Sequence, residues 1–303
     1  MDTLKLPQLP LARSAVDRAA HLRLDSAELG AAWQQAKIIH FNGEGFLLAG
    51  GSLRFLRAVD ISGNGEQVFL GEHNAERYFL WCSSQLLAQP DDYQTLRAVG
   101  HLLPDLELGL AVHAQAIANW HHRTPFCSEC GSELRLTQSG ATRTCVAQLH
   151  EHFPRTDPAI IVLTKDADDR ILLGRQKVWP EHRYSTFAGF VEAGESFEQC
   201  VEREVAEEVG VKVAEVHYLG SQPWPFPRSL MVAFEAIISD PENARPDGEE
   251  IVEIRWFDRE SMRQAVEEGT LLLPPAMSVA RAMIDAWYGS DRQPLVTPET
   301  WRS

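Results

Sequence analysis

The run from Gly189 to Val211 constrains this chain more than any other part of it, because it specifies a loop, a helix and a stop in succession. Ser196 followed by Gln199 is a capping box, which starts a helix at about residue 197. Phe197, Val201, Val205 and Val209 recur every four residues and supply a buried ridge. Gly210, just past the last turn, suits the left-handed conformation that ends helices, so the helix has about thirteen residues. Glu204, Glu207 and Glu208 are spaced i, i+3, i+4, which converges their carboxylates on one face. Gathered like charges give nothing to an isolated helix, and a hard divalent cation with a preference for oxygen relieves their repulsion. Such a metal polarises phosphoryl oxygens and lowers the pKa of an attacking water. The alternative, a solvated acidic face, explains three glutamates but not Gly189, Glu195, Arg203 and Gly210 in register around them.

The spacing G-x5-E-x7-R-E-U-x-E-E-x-G-U, with U aliphatic, is met at every constrained position from Gly189 to Val211, and in this the run resembles the box of the Nudix hydrolases. The resemblance implies a metal-dependent hydrolase that cuts a diphosphate linked to a nucleoside. It implies Mg2+ or Mn2+, two or more per site, on Glu204, Glu208 and the Ala188 carbonyl, with Glu207 or Glu208 as general base. It further implies that Glu195 and Arg203 are scaffold partners holding the loop against the helix, between structural glycines Gly189 and Gly210.

Eleven residues past the box begins the run Gln222, Pro223, Trp224, Pro225, Phe226, Pro227, Arg228 and Ser229. This resembles the Q-P-W-P-F-P-x-S element of the NAD(H) diphosphatases, the NudC-type branch of the Nudix family. Closely spaced prolines preclude a helix and favour a stiff extended segment that holds Trp224 and Phe226 at little entropy cost. Flat aromatic faces of this kind suit stacking on adenine or nicotinamide. The same resemblance implies substrate contacts at Phe153, Phe190, Ala280 and Arg97. It also implies a further metal-binding glutamate at Glu250, with Glu249 adjacent.

Five cysteines are too few for a disulfide framework. Cys127-x2-Cys130-Gly131 reads as half of a zinc ribbon, and Cys145 is a third member. The NAD(H) diphosphatases complete this pattern with a second C-x2-C, but Gln148 stands at the expected fourth position. Either His150 or His152 supplies an imidazole to a structural Zn2+, His150 being the slightly favoured fourth ligand, or the site is degraded and empty. His121 and His122 lie just upstream and are less usual candidates, while Cys82 and Cys200 read as ordinary buried thiols.

The chain has 303 residues, 44% of them hydrophobic, which is enough for two domains and a small third element. Its formal net charge of −15 argues against nonspecific affinity for nucleic acid or anionic membrane. The N-terminus lacks the features of a signal peptide and no long apolar run is present, so a cytoplasmic protein with no membrane partner is expected. Residues 1–25 read as irregular; 36–41 and 67–71 read as short strands, and 110–120 as a helix. Residues 159–163 and 171–174 read as strands, and 258–289 as helical.

The expected fold class is α+β. Residues 156–303 form a Nudix α/β/α sandwich with a mixed sheet, 121–155 a zinc-ribbon-like segment, and 1–120 a β-rich α+β domain. The resemblance implies hydrolysis of NAD(H) to nicotinamide mononucleotide and AMP, with NAD-capped RNA as a further substrate, by a homodimer with shared active sites. The alternatives are a pyrophosphatase for ADP-ribose or dinucleoside polyphosphates, a non-catalytic nucleotide sensor, and a zinc-ribbon nucleic-acid module. The Q-P-W-P-F-P-x-S element argues against the first, the intact carboxylates against the second, and the net charge against the third.

Overall fold

The computed structural model describes residues 4–297, which divide between two compact units. One comprises Leu11–Thr156 with Pro223–Arg228. The other takes in the chain up to Pro10, Asp157–Gln222, and the chain from Ser229 onward. Residues 121–155, expected as a segment of their own, share a unit with most of the N-terminal residues.

In the first unit, α1 (Ser26–Trp33) precedes β1 (Lys37–Phe41), β2 (Phe46–Ala49), β3 (Ser52–Leu53), β4 (Glu66–His73), β5 (Glu76–Cys82) and β6 (Tyr93–Gln94). The strand order is β3-β2-β1-β5-β4, with β6 on β2; β1 and β5 are parallel. Leu29, Ile38, Leu47, Phe69 and Phe79 form its core. Two helices follow, α2 (Leu96–Val99) and α3 (Asp105–Arg123). The helix expected over 110–120 is longer at both ends, since Pro104 occupies the N-cap and the histidine pair continues the helix. His121 is therefore drawn away from the cysteines: its Nδ1 meets Glu66 Oε2 and its Nε2 the Gly140 carbonyl, both at 2.9 Å. Beyond α3, β7 (Leu134–Thr137), β8 (Thr142–Cys145) and β9 (Glu151–His152) form a small antiparallel sheet.

The second unit is built on β10 (Asp157–Lys165), β11 (Ile171–Gln176) and β12 (Phe187–Phe190). After these come α4 (Phe197–Val209), β13 (Val213–Trp224), β14 (Ser229–Ile238), β15 (Ile251–Phe257), α5 (Arg259–Glu267) and α6 (Val279–Tyr288). The sheet order is β13-β14-β10-β11-β15. β10 runs parallel to β14 and antiparallel to both β11 and β12, so the sheet is mixed. β10 is apolar on both faces because it is covered on both. Ile160 and Val162 pack with Val201, Val205 and Val209 of α4. Ile161 and Leu163 pack with Met262, Met283 and Ile284 of α5 and α6. The result is an α/β/α sandwich.

Three expectations are corrected here. Residues 258–289 are not one helical stretch: α5 ends at Glu267, and Gly269 at φ +71° with Pro274 and Pro275 keeps the chain non-helical until Ser278 caps α6. The Trp-Phe segment is not extended throughout; β13 ends at Trp224 and residues 225–228 form a turn into β14, with a cis Phe226–Pro227 bond. Phe197 sits at the margin of the ridge on α4, 38% exposed against Phe234, and Cys200 takes a buried place instead.

Among the described residues, no helix is long and apolar enough to cross a membrane.

Candidate active site

The α4 helix is fixed at both ends by its own sequence. Ser196 Oγ accepts from the Gln199 backbone N–H at 3.2 Å, and Gln199 Oε1 accepts from the Ser196 N–H at 2.9 Å. At the other end Gly210 adopts φ +70°, a conformation open to glycine at little cost.

Arg203 organises the loop before the helix. It donates to both oxygens of Glu195, at 2.8 and 3.0 Å, and to the Phe190 carbonyl at 3.0 Å. It also reaches Glu204 Oε1 at 2.8 Å and Glu207 Oε2 at 3.0 Å. Charge-assisted paired bonds of this type are short and directional. The guanidinium, aided by the Glu192 backbone N–H, holds the Glu195 carboxyl down at about 2.

Glu208 behaves in the opposite way. It is 4% exposed, and its Oε2 is buried with no hydrogen-bond partner. Burial, then the charges of Glu250, Glu204, Asp247 and Glu207, push its carboxyl up to about 9. Burial also raises Glu204, against the pull of Arg203. A buried carboxylate among other carboxylates is costly without a compensating cation.

Ala188 and Gly189 lie in β12, paired with Ile161 and Ile160 of β10. A β-carbon on Gly189 would fall 1.8 Å from the Glu204 carboxylate, so a larger residue there requires that carboxylate to move. Glu250 precedes β15 and accepts from Gln176 Nε2 at 2.7 Å. Its charge acts on both Glu204 and Glu208. Two residues that the sequence reading missed shape this corner. Gln176 holds Glu250, and Asp247 accepts the backbone N–H groups of Glu249, Glu250 and Ile251 while its own N–H binds the Glu208 carbonyl at 3.1 Å. The signal for the second was the turn sequence Pro246-Asp247-Gly248.

An oxygen-only donor set with one orphaned buried carboxylate fits Mg2+ or Mn2+. Ala188, Glu204, Glu208 and Glu250 are the residues suited to hold it. Their donor atoms are not gathered as closely as those of the cysteines: among the described residues, the group of three or more metal-ligating side chains whose donor atoms all lie within 4.8 Å of one another is Cys127, Cys130 and Cys145.

At the cysteine cluster, Cys130 Sγ and Cys145 Sγ are 3.4 Å apart. Both candidate imidazoles approach Cys127 Sγ, His152 Nε2 at 3.3 Å and His150 Nδ1 at 3.8 Å. His150 Nδ1 also lies 3.4 Å from Glu129. Gln148 meets Cys145 Sγ through its backbone N–H. Hydrogen bonds from Ser132 lower the Cys130 thiol to about 7, which favours the thiolate that zinc requires.

The remaining site residues fall in different settings. Phe153 is 63% exposed and Phe190 59% exposed. Trp224 and Phe226 meet edge to face, with centroids 4.9 Å apart. The Arg97 guanidinium lies over Phe226 at 4.1 Å and over Trp224 at 5.4 Å. Pro225 is buried, Pro223 and Arg228 are half-buried, and Pro227 is exposed. Gln222 is fully buried and its Nε2 donates to the Met277 carbonyl at 3.0 Å, which ties β13 to the loop before α6. Ser229 opens β14. Ala280 is buried in the core beside Met283 and Ile284, so its methyl is packed against protein.

Residues 155–274 match the NUDIX domain family. The NAD-capped RNA hydrolase NudC of Mycobacterium bovis (strain BCG / Pasteur 1173P2) is 40% identical over 295 residues, covering 91% of this chain and 94% of that protein. The protein of the same name from Mycobacterium tuberculosis (strain ATCC 25618 / H37Rv) matches to the same extent, 40% over 295 residues. The NAD-capped RNA hydrolase NUDT12 of Homo sapiens is 36% identical over 197 residues, covering 61% of this chain and 42% of that protein.

Proposed function

The chain belongs to the Nudix hydrolase family, in its NudC-type branch, and from that premise we propose that it hydrolyses the diphosphate bond of NAD(H), releasing nicotinamide mononucleotide and AMP. NAD-capped RNA, which the named relatives act on, carries the same bond and is the second substrate of this reading. The observation that carries the hydrolytic part is Glu208: a buried carboxylate with an orphaned oxygen, on a helix whose other carboxylates press upon it. The Trp224–Phe226 pair, whose rings meet edge to face, supports a dinucleotide because aromatic faces suit stacking on a base.

When bound, Mg2+ or Mn2+ on Ala188, Glu204, Glu208 and Glu250 would neutralise the diphosphate and make water a better nucleophile. The chain's own residues do the positioning. Arg203 fixes Glu195 and the Phe190 carbonyl, so the loop entering α4 is held in one conformation. Glu207 is exposed and Glu208 buried; either accepts the proton from the attacking water. Rate then comes from orientation and charge neutralisation, with no covalent step required of the protein.

Cys127, Cys130 and Cys145 would hold a structural Zn2+ with His150 or His152 completing a tetrahedral set. The protein acts as a homodimer in this reading, with residues of both copies at each site.

The test is product analysis. NADH incubated with protein and Mg2+ or Mn2+ should yield AMP and the reduced mononucleotide in equal amounts. Release of nicotinamide and ADP-ribose, or cleavage of ADP-ribose but not NADH, would overturn the assignment.

A further inference from the structure

The turn between β13 and β14 presents an accounting problem. Pro223, Pro225 and Pro227 have no backbone N–H, so the turn is poor in donors for its own carbonyls. Pro225 is buried nonetheless, and a buried carbonyl left without a donor is costly.

Two amide side chains of α3 supply what the turn lacks. Gln115 Nε2 donates to the Pro225 carbonyl at 2.8 Å. Asn119 Nδ2 donates to the same carbonyl at 2.9 Å and to the Pro227 carbonyl at 2.9 Å. The two residues are four apart and so share a face of the helix. Their contacts span 110 and 106 residues of chain. Three hydrogen bonds thus fall on the two carbonyls that flank Phe226, from a helix of 19 residues. The Arg97 guanidinium lies against the same turn, 4.1 Å over the Phe226 ring.

We propose that Gln115 and Asn119 are positioning residues for substrate: they lock the turn so that Trp224 and Phe226 present their rings in one orientation before a nucleotide arrives. The proposal rests on the NAD(H) reading above and deepens it. An aromatic platform pre-set in this way spends no binding energy on ordering itself. Its loss weakens ground-state and transition-state binding alike, and therefore raises KM while leaving kcat nearly unchanged.

The experiment uses the full-length protein with Gln115→Met and Asn119→Leu, singly and together; each keeps approximate volume and deletes the donor. Two readouts are taken. The first is amide hydrogen exchange over 221–230 without substrate, with the α4 peptides as internal reference. The second is steady-state turnover of NADH. The expected result for the double variant is exchange over 221–230 faster by about tenfold and KM higher by about tenfold, with kcat within about threefold of wild type. Each single variant lies between, so the proposal is still judged if the double variant fails to fold.

Unchanged exchange over 221–230 overturns the clamp whatever the substrate is. Faster exchange with an unchanged KM, or a kcat that falls in step with the folded fraction at constant KM, overturns the positioning role. A wild type that leaves NADH intact overturns the function proposed above, and the exchange arm still decides whether the clamp exists.

Discussion

Gly189 and Glu204 are packed so closely that a β-carbon on the first would sit 1.8 Å from the carboxylate of the second. Gly189→Ala must therefore push Glu204 away from the β12 backbone. If Glu204 holds metal as proposed, displacing it by about 1 Å costs on the order of a hundredfold in rate. The expected outcome is that loss in kcat/KM for NADH with a cooperative thermal transition retained. Near-normal activity would mean that Glu204 has no fixed role at the metal.

Glu208→Gln keeps the shape of the side chain and deletes its charge. Turnover should fall by at least about a hundredfold. Stability should respond in the reverse direction when metal is withheld. The carboxyl titrates at the ordinary glutamate value in the unfolded chain and at about 9 in the folded one. Folded protein then keeps a proton that the unfolded chain has released, so stability is full below the ordinary carboxylate range and declines as pH rises, levelling off above about 9. With EDTA present, the glutamine variant should melt above wild type at pH 8 and the gap should close towards pH 4. A gap independent of pH would show that Glu208 is not the titrating group.

Glu195 carries the opposite sign. Its carboxyl is held at about 2 by Arg203 and the Glu192 N–H, so its contribution is present above the ordinary carboxylate pKa and is lost as pH falls through about 2. Glu195→Gln should lower the Tm at pH 7 and make progressively less difference as the medium is acidified. Calorimetry of both proteins between pH 7 and pH 2.5 measures this directly.

Protein purified without chelator should contain about one zinc per chain by elemental analysis, as a closed thiolate site holds its ion tightly. Alanine at His150 and at His152, in separate variants, identifies the fourth ligand: the variant that loses zinc names it. Wild type free of zinc would make the three cysteines structural thiols only.

Sedimentation velocity should show a dimer, and Trp224→Ala should weaken association together with NADH binding, because one aromatic anchor serves both. A fully active monomer would remove the shared site and leave the diphosphatase reading in place.

Legibility followed sequence distance. The α4 helix could be read to the residue because its determinants are local: Ser196 with Gln199 at one end, Gly210 at the other, and a valine every fourth position between. The break after α5 is marked in the sequence by Gly269, Pro274 and Pro275, which a reading of 258–289 as one helical stretch does not accommodate. Glu250 is proposed as a metal ligand from the resemblance and its offset to Trp256, whereas nothing local in the sequence points to its hydrogen-bond partner Gln176, since that bond crosses 74 residues. Gln115 and Asn119 had no signal at all. Amides within an apolar helix look like tolerated polar residues until the prolines they serve, more than a hundred positions away, are brought beside them.

The strand β10 meets α4 with its even residues and the α5–α6 pair with its odd ones, and Ile160 is registered on Gly189. Deleting one residue from its middle would exchange the two sets, sending each apolar side chain to the layer built for the other. The same slip would carry the strand past Ala188 by one position, so the backbone proposed to face the metal would move along with both hydrophobic layers. Insertions and deletions within 157–165 therefore have no neutral direction, since the length of this strand sets the register of both hydrophobic layers and of Ala188 at once.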